Sequence, residues 1–61
     1  MGLNEALKVF NLELKDIGKI DMELARQVME SEKRTLANTK CLSVKEKSMR
    51  NINALQVILA H

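Results

Sequence analysis

Cys41 is the only thiol and His61 the only imidazole in the chain, so they are the first residues to ask for chemistry. A closed zinc site normally takes about four ligands of these types, and two soft donors do not make one. A reactive thiol needs an electropositive surrounding. Lys40 and Lys45 flank Cys41 and give only a hint of it, so Cys41 reads as a small packing residue at a bend. Serine nucleophiles need a histidine held by an acid, and the single histidine is the last residue, where helices fray. Glu30 and Glu32 could pair as acid and base, but two residues apart on a helix they point to different faces. No glycine-rich phosphate loop is present. A walled pocket of roughly 300 Å³ also needs more surrounding protein than such a chain offers. The expectation is a protein without catalysis, cofactor or metal.

Non-covalent recognition is left, and charge is its first guide. The net charge is +2, yet it is unevenly placed. Residues 1–32 hold four basic and seven acidic side chains, whereas residues 33–61 hold six basic and one acidic. The positive half, Lys33, Arg34, Lys40, Lys45, Lys47 and Arg50, is either a solvated face or a docking surface for an acidic partner or nucleic acid. Ile17-Gly18-Lys19-Ile20 is the one turn that could sit inside a helix-turn-helix. The helix after it opens on Met22, Glu23 and Leu24. Asp21 and Glu23 would repel phosphates, and only Arg26 offers a strong base contact. The basic segment has no aromatic residue for stacking on single strands. Nucleic-acid binding through phosphates is therefore the second expectation.

The elements that must carry these residues are written in apolar spacing. Leu3, Leu7, Phe10, Leu14 and Ile17 recur by four and three, the repeat of one helix face. They predict a helix from Asn4 to Ile17, capped by Asn4 and ended by Gly18. Asp21 predicts the cap of a second helix, Met22 to Asn38, with Ile20 packed back on Ala25 as a staple. The inward face of that helix would be Met22, Ala25, Val28, Met29 and Leu36. Ser43-Val44-Lys45-Glu46 reads as a capping box opening a third helix, Val44 to Ala60, after a connection at Thr39–Leu42. Its face would be Val44, Met49, Ile52, Leu55 and Leu59. The rival is a continuous helix from Met22 onward, because neither Gly nor Pro interrupts it. The expected fold class is all-α over a single domain, residues 1–61: three short amphipathic helices, or a hairpin with a long second helix, completed by dimerisation.

Association is expected because folding is marginal at this size. Apolar burial and chain ordering are each on the order of 90 kcal/mol here and cancel. Leu12 lies off the first apolar stripe, Val57 lies off the third, and the last turns of the chain are apolar all round. These exceptions predict a second buried surface at Leu12, Met22, Met29, Glu32, Leu55, Val57 and Ile58. Glu32 interrupts the second stripe; it either reaches solvent or meets Lys33, Arg34 or Arg50 to set register. Met22, Met29 and Met49 are either core or an adaptable surface for a foreign helix.

A single thiol and the lack of an Asn-x-Ser/Thr sequon favour a reducing, cytoplasmic setting. No apolar run approaches the roughly 18 residues of a span. Glu5, Lys8 and Glu13 interrupt any leader-like stretch, and Ala6 stands where a myristoylation motif wants Ser or Thr. The first helix carries Glu5, Glu13 and Asp16 on its polar face, so anionic lipid gains little from it, and no membrane partner is expected. The functional expectation is a small regulator or inhibitor that binds an unidentified protein through an apolar helix face, as a homodimer.

Overall fold

The structure is a computed structural model describing residues 1–61. It is all helical, with α1 at Leu3–Val9, a 3-10 helix at Leu14–Lys19, α2 at Met22–Asn38 and α3 at Leu42–Ala60. α2 and α3 form the hairpin that makes up most of the molecule, and α1 packs on α3. The whole measures 36 × 21 × 16 Å.

α2 has the expected limits, and its start has the expected cause. The Asp21 carboxylate accepts hydrogen bonds from the Glu23 amide at 3.0 Å and the Leu24 amide at 3.3 Å, which satisfies two of the four free donors of a helix start. The chain then breaks rather than running on as one helix. The Thr39 hydroxyl accepts from the Cys41 amide at 3.2 Å, a local bond that competes with continued helix. α3 opens earlier than the Ser43 box predicts. The Lys45 amide donates to the Cys41 carbonyl at 3.0 Å, so Cys41 is the cap residue, its side chain making no cap bond, and Ser43 already lies within the first turn.

The first segment departs most from expectation. α1 ends at Val9, not Ile17. Asn11 adopts φ 60°, the only positive φ in the chain. The Asn11 amide donates to the Lys8 carbonyl at 3.0 Å and the Leu12 amide to the Leu7 carbonyl at 2.9 Å. This pair of bonds is a Schellman termination with Asn11 in the left-handed position. Asn serves there because its short polar side chain tolerates that region better than other non-glycine residues. The predicted terminator Gly18 sits inside the 3-10 helix without a positive φ. Nor does Asn4 cap α1: Gly2 does, with the Ala6 amide on the Gly2 carbonyl at 3.0 Å. The reversal splits the five-residue ladder, so Leu14 is exposed while Leu7 is fully buried.

The core is thin. Ala6 and Leu7 of α1 meet Ala54 and Ile58 of α3, and the two alanines let the helices approach closely. Leu3, Val9, Phe10 and Val57 close around them, as does Leu12. Leu12 and Val57 therefore pack against this chain's own core rather than standing outside it. Between α2 and α3 the buried residues are Ala25, Ser48, Ile52 and Leu55. Ser48 replaces Val44 and Met49 of the predicted face, both of which are exposed. Met49 is one residue past Ser48 and so turned about 100° away. Val44 lies toward the hairpin turn, beyond the reach of the seven-residue α1.

The Asn11 geometry yields a direct test. Asn11→Gly should leave stability unchanged or raise it, since glycine has no penalty at positive φ. Asn11→Val should cost about 1–2 kcal/mol, lowering Tm by roughly 4–8 °C per kcal/mol for a chain of this size, as read by circular dichroism melting.

Candidate functional site

The chain reversal at Asn11 opens a groove. Leu12 swings back toward the core, and the 3-10 helix carries the chain round to Ile20. An open apolar groove of about 310 Å³ forms there. Phe10, Leu12 and Ile20 make one wall, Leu24, Ala25 and Val28 of α2 the other, and Leu55 and Ile58 of α3 line it from below. Asp21 is the one polar residue in the lining, and its carboxylate is engaged in capping α2. The groove therefore offers contact area and no reactive group.

Burial separates the lining into two parts. Leu55 is 5% exposed and Ile58 1%; these two are core residues and not an outward face, because α1 and α2 cover them. Leu24 at 56% and Val28 at 38% form an exposed lip. Ile20 and Ala25, the predicted staple, share the α2 end of the groove.

Of the seven residues expected at an interface, the fold brings Leu12, Leu55 and Ile58 into this groove. Val57 instead borders a separate shallow surface with Met1, Asn53 and Gln56. Met22 and Met29 are half-buried and Met49 is exposed, and none of them lines the groove. Glu32 is half-buried without an ion pair to Lys33, Arg34 or Arg50. Lys33 turns to Glu30 at 3.6 Å, leaving no charge contact at Glu32 to set register. The other pairs, Lys15–Glu13 at 3.3 Å and Arg26–Glu23 at 3.9 Å, are more exposed still and worth at most about 1 kcal/mol each.

Sequence reasoning missed Leu24 and assigned Val28 to the inward face. The signal was present. Leu24 and Val28 are four apart and fall beside, not on, the stripe of Ala25, Met29, Glu32 and Leu36. Ser31 and Thr35 continue the same line, giving α2 a flank without charge downstream of Asp21.

The opposite end of the hairpin is basic. Lys33, Arg34, Lys40, Lys45 and Lys47 are all exposed on the arms and bend of the α2–α3 turn, and Arg50 is exposed further along α3. Cys41 lies at that bend, exposed rather than packed. Leu42, 69% exposed, is the most accessible large apolar residue. The proposed helix-turn-helix turn is absent, because a 3-10 helix and not an α-helix leads into Asp21. No helix is long and apolar enough to cross a membrane. No protein-family profile matches this sequence, and no curated protein or solved structure is significantly similar to it.

Asp21 ties the groove to the helix that forms its lip. Asp21→Ala should destabilise the protein by about 1 kcal/mol, while Asp21→Ser should recover most of that loss. Chemical denaturation followed by far-UV circular dichroism measures both.

Proposed function

We propose that this chain is a small non-enzymatic protein-binding module that regulates its partner by covering an apolar surface. The groove between the Asn11 reversal and α2 carries this reading. It joins an apolar lining to an exposed lip at Leu24 and Val28, the arrangement that takes up apolar anchors of another helix. Fully burying one Leu-sized anchor contributes about 1.5–3 kcal/mol, so a few anchors suffice for useful affinity. The basic end of the hairpin would speed encounter with an acidic partner without adding much to its lifetime. Affinity capture from the native cell with wild-type protein and with Val28→Asp tests the idea. Val28→Asp should remain helical and lose its specifically captured protein; an identical set of captured proteins overturns the reading.

A second reading rests on a different observation, the six exposed cations of residues 33–61 with Glu46 as the single acid of that half. It is phosphate-backbone binding to nucleic acid. Gel shifts at two salt concentrations decide it. Affinity should fall steeply with salt, and the double variant Lys45→Ala, Arg50→Ala should flatten that dependence by about two phosphate contacts. The lack of a shift with DNA or RNA at low salt removes this reading.

A further inference from the structure

The groove and its lip lie on the same face of α2, so one patch presents both a hollow and the side chains to fill a hollow. That is the property an isologous contact requires, since each subunit then gives and receives the same residues. We propose that the groove's occupant is a second copy of this chain, packed antiparallel along α2, with Leu24 and Val28 of each copy seated in the groove of the other. This inference rests on the protein-binding reading of the groove and names its partner.

Surface area is the first argument. The chain exposes 4563 Å², whereas a compact monomer of its mass exposes roughly 4000 Å². The excess is about 550 Å², a large part of the roughly 800 Å² that each partner contributes to a standard stable interface. A lone copy thus has surface to spare for a contact of that size.

The α2 surface is the second. Leu24, Val28, Ser31 and Thr35 follow one another at helical spacing along a flank that carries no charged side chain. The Thr35 hydroxyl donates to the Ser31 carbonyl at 3.1 Å, so it can be covered without losing its bond. Glu23, Arg26, Glu30 and Lys33 lie on the other side of α2 and pair among themselves. The flank can therefore be buried against another helix with little desolvation of charge.

Charge sets the direction. The groove end of the molecule carries Glu13, Asp16, Asp21 and Glu23 against Lys15 and Lys19, a small acidic excess, and the turn end carries Lys40, Lys45 and Lys47 against Glu46. Antiparallel packing about a point midway between Leu24 and Val28 directs the basic turn of each copy toward the acidic end of the other. Parallel packing sets the two basic turns side by side, like charge on like, which destabilises an interface.

Analytical ultracentrifugation over a wide concentration range, with a nitroxide on the native Cys41 for double electron–electron resonance, tests both the partner and the direction. The expected result is a dimer whose affinity falls several-fold between low and high salt. Leu24→Asp, placed at an exposed site so that helicity is retained, should weaken it at least tenfold. With the two-fold axis midway between Leu24 and Val28, the two labels should lie about 45 Å apart, from a rise of 1.5 Å per residue. A strict monomer at the highest concentration overturns the proposal, and so does a label separation under about 20 Å, the parallel arrangement. Should Leu24→Asp unfold, the label distance in the wild-type protein still decides. A monomer whose captured protein is lost on Val28→Asp leaves the groove reading standing with a foreign helix as occupant. A dimer untouched by either lip substitution, together with unchanged capture, removes both.

Discussion

The left-handed backbone of Asn11 is the constraint on which the rest of this molecule's shape depends. Had the first helix continued along its apolar ladder to Ile17, Leu12 would have faced away from the core. The reversal instead closes α1 on α3 through Ala6, Leu7, Ala54 and Ile58. It turns Leu12 inward and sends the chain through a 3-10 helix to the start of α2. The groove is what remains between that detour and the hairpin. Two backbone hydrogen bonds and a tolerated φ are the local cause of the hollow whose lining is most nearly all apolar.

Around that reversal the molecule is short of interior. Eight residues are buried, and the largest fully buried side chains are Leu7 and Ile58. Helices of 17 and 19 residues are partnered on their third side by an α1 of seven, so α1 covers only part of the hairpin. An incomplete third layer leaves Leu24, Val28 and Val44 in contact with water. Small domains commonly meet this shortage with disulfides, metals or association. With a single thiol, an internal disulfide is not available here.

Positive charge is concentrated toward the turn of the hairpin and the apolar groove lies toward the other end, so the two proposed interactions draw on different parts of the molecule. The groove lies where acidic residues dominate and where a buried contact would decide affinity. The turn lies where lysines and arginines dominate, where screening by salt is strong and the effect falls chiefly on encounter rate. An antiparallel pair would bring the two ends together and partly neutralise both. A nucleic-acid contact would instead leave the groove free.

Much of the architecture was legible in the residues alone. α2 could be read to its last residue because its determinants are local: Asp21 at the cap, apolar residues at a helical period, and a turn-favouring Thr after Asn38. The all-helical class followed for the same reason. The end of α1 was not legible, because Asn11 and Gly18 both qualify as terminators by type, and Gly18 is the stronger by intrinsic preference. What chose Asn11 was the chance to bury Leu7 and Leu12 against α3, a contact with residues more than forty positions away. The Ser43 box failed likewise, since Thr39 had already turned the chain. The groove belongs wholly to the tertiary structure: Leu24 and Val28 differ from buried neighbours by one helical step, and only the placement of α1 and α3 determines which step faces inward. Local hydrogen bonding and periodicity are written in the order of residues; which apolar side chains are left uncovered depends on packing across the chain.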